Sequence, residues 1–309
     1  MADHPEIHTD EATGTAFKGH EWDGIRELDT PLPRWWLWTF YATIIFAIGY
    51  VIAYPAIPLL HGFTKGTMGW SSHGALDKEL AAQAQRMAPI RAAIGATPVE
   101  LLPTKPQLMQ AAIEGGRAQF KVHCVQCHGS GAAGGKGYPN LNDDDWLWGG
   151  DLKTIEFTLV NGVRNPDHPD TRMSLMPAFG KDQLLNGAQV NDVVAHVRTI
   201  SRQQPASAAS RRGAVIFEAN CAVCHGADGK GNRTVGAPNL TDPIWLYGGD
   251  AATIHETVWN SRHGVMPRWG DKLDPVTIKM LAAYVHSLGG GEANPAPAAA
   301  ESANATAAN

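Results

Sequence analysis

The run from Trp35 to Phe63 carries no charged side chain. Its core, Trp35 to Ala56, is about 22 residues, or roughly 33 Å as a helix, which is enough to cross the ~30 Å hydrocarbon layer of a bilayer. Trp35, Trp36 and Trp38 mark one end and Tyr50 and Tyr54 lie toward the other, as interfacial aromatics do. Pro55 and Pro58 stand where a helix stops at little cost. A long polar segment precedes the run and no A-x-A site follows closely, so the pattern predicts an uncleaved anchor over 34–58 behind a tail, 1–33, rather than a signal peptide. Beyond it, SSHGALDKELAAQAQRMAPIRAAIG favours helix, with Pro89 expected to interrupt it. TPVELLPTKPQ, with its three prolines, should then break the chain. Residues 59–109 therefore read as a helical spacer and linker.

From about Gln110 the pattern repeats. GGRAQFKVHCVQCHG aligns with RRGAVIFEANCAVCHG, pairing Gly116 with Gly213 and Phe120 with Phe217. PNLNDDDWLWGGD aligns with PNLTDPIWLYGGD, and MPAFG with MPRWG. Each copy closes on an apolar stripe at i, i+3, i+4, i+7 and i+10, one helix face. The stripes are Val190, Val193, Val194, Val197, Ile200 and Ile278, Leu281, Ala282, Val285, Leu288. Two tandem domains follow, 110–204 and 205–289, expected to have separate cores, with a low-complexity tail at 290–309 read as disordered. Between Asn161 and Met176 the first copy is longer than the second, so 165–175 reads as an inserted loop, at a functional edge or simply tolerated at the surface.

Composition changes this picture little. The chain has 309 residues, 44% hydrophobic and 18% charged, and a net charge of −5, so no basic surface argues for nucleic acid. Lys18, Arg26 and Arg34 before the anchor against Lys65 and Lys78 after it do not fix its orientation.

The four cysteines are decisive. All lie in two C-x-x-C-H pentads, Cys124–Cys127–His128 and Cys221–Cys224–His225. This spacing lets two thiols add to the vinyl groups of a haem while the histidine reaches the iron. Zinc would need a further cluster of ligands, and a thioredoxin-like pair a βαβ context, and the sequence offers neither. Two covalently bound haem c groups are expected. Met176 and Met266, each followed by proline at matching repeat positions, are the expected sixth ligands. Met173, His168 and His263 are nearby rivals that do not recur in both copies. Ligation within each repeat is the simpler arrangement, and exchange of the two methionine loops is the alternative. Trp146, Trp148, Trp245, Trp259 and Trp269 are expected to pack around these sites.

DGIRELDTPLPRWWLWTFYATIIFAIGYVIAYPAIP at 23–58, TMGWSS at 67–72 and the two haem repeats with their Met-Pro loops together resemble the diheme subunit III of cbb3-type cytochrome c oxidases, over about residues 20–290. The resemblance implies a mainly α fold, one N-terminal transmembrane helix followed by two tandem class I-like cytochrome c domains. It implies a single-pass protein of the bacterial inner membrane with periplasmic haem domains. Electrons would pass from a soluble or membrane-bound c-type cytochrome, or a bc1 donor, to a catalytic haem b/copper subunit that reduces oxygen and pumps protons, with a monohaem cytochrome c subunit as a further partner. The chain itself would hold no oxygen-reducing site. By the same resemblance the haem ligands fall at Cys124, Cys127, His128, Cys221, Cys224, His225, Met176 and Met266. A membrane-tethered diheme shuttle of another respiratory complex would share the haem motifs but lack the segment before the anchor. A diheme peroxidase would need an open iron, and a sensor a signalling domain.

Overall fold

The computed structural model describes residues 8–166 and 168–294. The chain divides into two units, 1–86 and 87–309.

In the first unit, β1 (Phe17–Trp22) and β2 (Ile25–Leu28) form an antiparallel hairpin within the segment expected only as a tail. Its loop is Asp23-Gly24, both at positive φ (50° and 83°). Asp-Gly suits such a turn because its twist matches that of the flanking strands. Helix α1 (Arg34–Ala53) follows Pro33 and presents no buried residue. Its 20 residues span about 30 Å. An apolar helix this exposed requires lipid or protein around it. The Thr39 and Thr43 hydroxyls donate to the Trp35 and Phe40 carbonyls (2.9 and 2.7 Å), so neither is left unpaired in an apolar setting. The helix ends at Ala53, short of the expected 58. Tyr54, preceding Pro55, is extended, as the proline ring demands. Thr67 and Met68 N–H donate to the Ile52 and Ala53 carbonyls (3.0 and 3.1 Å), capping groups that a helix end leaves open. Helix α2 (Ser72–Ala96) contains Pro89 rather than breaking there, at the cost of one backbone hydrogen bond.

In the second unit the expected linker is part of a core. Ile94, Val99 and Leu102 are buried in the cluster formed with α3 (Pro106–His123), α5 (Leu152–Asn161) and α10 (Pro275–His286). Lys279 Nζ donates to the Gly95 and Thr97 carbonyls (2.9 and 2.8 Å), and Arg91 Nη2 donates to both carboxylate oxygens of Asp274 (2.8 and 2.9 Å). A second cluster joins α6 (Gly187–Ile200), α7 (Ala208–Asn220) and α9 (Ala251–Asn260). Both stripes lie where expected: Val190, Val193, Val194 and Val197 are buried on α6, and Ile278, Leu281, Ala282 and Val285 on α10.

These cores do not follow the repeats. The first repeat's opening helix α3 packs on the second repeat's closing helix α10, and α6 of the first repeat packs on α7 of the second. The expectation of one core per repeat is therefore corrected, while 204/205 remains the join of the two sequence repeats. That boundary falls inside the second core. This core is built from a continuous stretch, about Ser174 to Ser261, and is inserted in a first core made of residues before and after it. The physical reason lies in the homology. Gly116 and Phe120 on α3 present the same face as Gly213 and Phe217 on α7, so α6 can use either. The short connection 201–207 makes the neighbouring α7 the partner with the smaller loop-closure cost.

Residues 290–294 also depart from expectation. The Gly290 carbonyl accepts from Trp146 Nε1 (2.6 Å), and Glu292 accepts from Gly150 N–H (2.7 Å) and pairs with Arg233 (2.6 Å). The remainder of the expected tail, 295–309, lies outside the described residues.

The α3–α10 and α6–α7 crossings each rest on a glycine. A Cβ on Gly213 would collide with the Asp192 carbonyl, and one on Gly116 with the Met280 carbonyl. Gly213→Ala should destabilise the chain by about 2–3 kcal/mol. Because the cores interlock, circular dichroism and haem absorbance should melt together at a lower temperature. Gly131→Ala, with open space around it, should leave the melting temperature nearly unchanged.

Candidate haem sites

Each pentad begins where a long helix ends. Cys124 N–H still donates to the Phe120 carbonyl (2.9 Å), and Cys221 N–H to that of Phe217 (2.8 Å). One further helical turn follows in each copy, α4 (Val125–His128) and α8 (Ala222–His225). The Cys127 and His128 N–H groups both donate to the Cys124 carbonyl (3.2 and 2.9 Å), and Cys224 and His225 donate to Cys221 (3.1 and 2.9 Å). Gly129 and Gly226, at φ 77° and 78°, then turn the chain away.

His128 Nδ1 lies 3.2 Å from the Pro139 carbonyl and His225 Nδ1 3.1 Å from that of Pro238. A carbonyl accepts only, so in each case Nδ1 carries the proton and Nε2 keeps its lone pair for a metal. Burial holds both imidazoles below their ordinary pKa, which favours the neutral, ligating form. Cys124 and Cys221 are pushed up to about 11, first by burial and then by the neighbouring thiol. Such thiols stay protonated, unlike the depressed pKa of a redox-active pair.

The methionine loops are exchanged. Met266 N–H and C=O pair with Val163 of the first repeat (2.9 and 3.0 Å), and Trp269 N–H donates to the Leu159 carbonyl (2.9 Å) on α5. Met266 and Trp269 pack against the cluster containing Cys124, and the Trp269 ring lies 5.6 Å from that of His123. In mirror fashion, Phe179 N–H donates to the Val258 carbonyl (3.1 Å) and Lys181 N–H to Trp259 (3.0 Å) on α9. The Ser261 hydroxyl donates to the Met176 carbonyl. Met176 packs against the cluster of Phe179, Val193, Val197 and Phe217, as do Cys221, Leu240 and Trp245.

A cavity of about 660 Å³ is lined by Cys221, Cys224, His225, Met176, Phe217, Val193, Val197, Trp245 and Ile254. Two thiols, an imidazole and a thioether facing a largely apolar space form a donor set that fits a covalently held haem. The first pentad repeats the same turn, histidine bond and methionine loop. Among the rivals, Met173 is 56% exposed and His168 accepts from Asp170 N–H (3.2 Å). His263 does line the cavity, with Nδ1 3.2 Å from the Ser261 carbonyl.

Four of the tryptophans pack against the cores, Trp146 and Trp269 on the first and Trp245 and Trp259 on the second, and two of them show a constraint not anticipated. Gly150 and Gly249 sit against the indoles of Trp146 and Trp245, where no Cβ would fit. Two arginines were missed. Arg172 Nε donates to Thr158 Oγ1 (3.0 Å) with its guanidinium 5.2 Å from the Trp148 ring, and Arg262 does the same with Thr257 Oγ1 (3.1 Å) and Tyr247 (4.7 Å). Each lies four residues before its methionine, so aligning the repeats on Met-Pro reveals them. That alignment also moves the insertion ahead of Arg172, where it folds back on α5. Thr171 is buried and its hydroxyl accepts from Asn165 N–H (3.1 Å).

Asp145 faces both this cavity and a second one, of about 600 Å³, shared with Asp144, Asp242, Lys230 and Arg233. Burial, then Asp242 and Asp143, push its carboxyl up to about 6, against the pull of Arg233. The folded state thus binds this proton more tightly than the unfolded one, and stability falls as pH rises from about 4 through about 6. Asp145→Asn should therefore raise the melting temperature above pH 6. The difference should shrink toward zero near pH 4 in a series of thermal melts.

Residues 14–61 match the family described as the N-terminal domain of cytochrome oxidase-cbb3, FixP. Residues 208–285 match cytochrome c oxidase, cbb3-type, subunit III, and residues 113–201 match cytochrome c. The chain is 54% identical over 274 residues to the cbb3-type cytochrome c oxidase subunit CcoP of Cereibacter sphaeroides, covering 89% of this chain and 94% of that protein. It is 52% identical over 295 residues to the subunit FixP of a Bradyrhizobium species, covering 94% of this chain and 100% of that protein. With the FixP of Azorhizobium caulinodans it shares 49% over 284 residues, 92% and 96% of the two chains. The apolar helix, the paired cytochrome c motifs and these likenesses along nearly the whole length lead to one conclusion: the chain belongs to the CcoP/FixP family of cbb3-type cytochrome c oxidase subunits.

Proposed function

We propose that this chain carries two haem c groups and relays electrons from a c-type cytochrome donor to the catalytic haem b/copper subunit of the oxidase. Cys124, Cys127, His128 and Met266 would hold one haem, and Cys221, Cys224, His225 and Met176 the other. The observation that carries this pairing is the exchange of the loops, which are hydrogen-bonded to α5 and α9 of the opposite repeat. When bound, each haem would supply a one-electron carrier, and thioether ligation by methionine would keep its potential high. The protein's own part is positional. The Pro139 and Pro238 carbonyls orient the imidazoles, the proline after each methionine stiffens its loop, and the apolar walls exclude water.

With a histidine and a methionine available for each haem, this chain would leave neither iron open to oxygen, and oxygen reduction would fall to the partner subunit. A monohaem cytochrome c subunit is a further partner, and the donor is a soluble cytochrome c or a bc1 complex. Helix α1 would anchor the chain in the inner membrane. Haem c is attached outside the bacterial cytoplasm, which places the residues after about 60 in the periplasm and the β1–β2 hairpin on the cytoplasmic side.

Met266→His should lower the potential of one haem, since imidazole favours oxidised iron more than a thioether does. Haem content should be nearly unchanged. In the reduced variant the one remaining coordinated methionine methyl should show NOEs to Val193, Val197 or Phe217. NOEs to the α3–α10 core instead would overturn the exchanged assignment. Protease added to intact spheroplasts should remove the haem-stained fragment and spare the N-terminal hairpin. Survival of the haem domains while other periplasmic proteins are digested would reverse the orientation.

A further inference from the structure

Where the two methionine segments cross, one side chain reaches both. Arg164 Nε donates to the Gly264 carbonyl (2.6 Å), two residues before Met266, and its Nη1 to the Ser174 carbonyl (3.4 Å), two residues before Met176. Its backbone is pinned alongside, Arg164 N–H donating to the Arg172 carbonyl (2.8 Å) next to the Val163–Met266 pairing. Arg164 sits at φ 53°, a conformation that costs a non-glycine residue free energy and persists only where the surroundings impose it. Among the described residues it makes no ion pair. The carbonyls of the crossing segments are thus its hydrogen-bonding partners, and it lines the same cavity as Met176 and His263. It belongs to the segment that lengthens the first repeat, where the second runs from Ser261 directly to Arg262. One residue, without a counterpart, serves both loops.

We propose that Arg164 is a positioning residue that clamps both methionine loops at their crossing and so keeps both thioethers seated on their irons. The proposal rests on Met176 and Met266 being iron ligands. It does not depend on which haem each one serves. A planar guanidinium can hold two carbonyls in a fixed fork, whereas an ammonium on a flexible stem cannot hold both in register. Loss of the clamp frees both loops at once, and the shorter bond predicts the larger effect at Met266.

The test uses the full-length haem-loaded chain in detergent and reads loop release through added imidazole, which binds ferric haem only when the thioether has left. Met176→Leu and Met266→Leu each leave one sulfur-to-iron absorption band, so every remaining band reports one methionine. In the Met176→Leu background, Arg164→Gln should tighten imidazole binding at the Met266 iron about tenfold, the order expected for a lost charge-assisted hydrogen bond. In the Met266→Leu background the gain at the Met176 iron should be about threefold. Unchanged affinity in either background, measured well below the melting temperature, overturns the clamp. Should Arg164→Gln fail to mature, Arg164→Lys must tighten imidazole binding in at least one background, and no change in either overturns the proposal. If neither single methionine variant loses a band, it is the ligand assignment that has failed.

Discussion

The close approach of two helix backbones over a glycine is the constraint on which the haem-bearing unit depends. Gly116 lets α3 touch the backbone of α10 at Met280, and Gly213 lets α7 touch α6 at Asp192. One turn on, Phe120 and Phe217 fill the crossing against Tyr284 and His196, with ring centroids 5.3 and 5.1 Å apart. Cys124 and Cys221 follow one turn later, so each crossing fixes where its pentad begins. The prolyl carbonyl, the glycine turn and the methionine loop then complete a site whose geometry derives from that backbone contact. A side chain at either glycine would displace the helix that carries the cysteines.

Much of this was legible in the sequence because its signals are local. An uncharged run bounded by Trp35 and Pro55 can scarcely be anything other than an apolar helix. A pentad specifies its own turn, and the stripes on α6 and α10 name the faces that are buried. The Asp23-Gly24 turn was equally local and could have been read from W-D-G-I. What sequence could not decide was which copy of a repeated face receives which helix. The repeats present the same glycine and phenylalanine on α3 and α7, so surface chemistry leaves own-repeat and exchanged pairing equivalent. Loop closure breaks the tie, and that is a property of the seven residues 201–207 rather than of any motif. The Ile94–Leu102 segment and the Gly290–Asn294 strap were misread for a related reason. Their prolines, glycines and alanines resemble linker until the partners, Lys279, Trp146 and Gly150, are brought to them by the fold.

The exchange creates an asymmetry that two equal repeats do not suggest. Contacts of the second core are near neighbours in the chain: the Arg212–Asp192 fork joins residues 20 apart. The first core closes over a far greater span. Arg91 meets Asp274 across 183 residues and Trp146 meets Gly290 across 144. A core of short-range contacts forms with less loop-closure entropy than one of long-range contacts. The inner core can therefore assemble first and bring the ends of its own segment, Ser174 and Ser261, together. That closure shortens the effective loop between α5 and the Met266 segment, which makes the outer core cheaper to complete. The insertion in the first repeat then has a structural place. It lies at this junction between inner and outer cores, where Arg164 and Arg172 return the chain to α5 before it enters the other core.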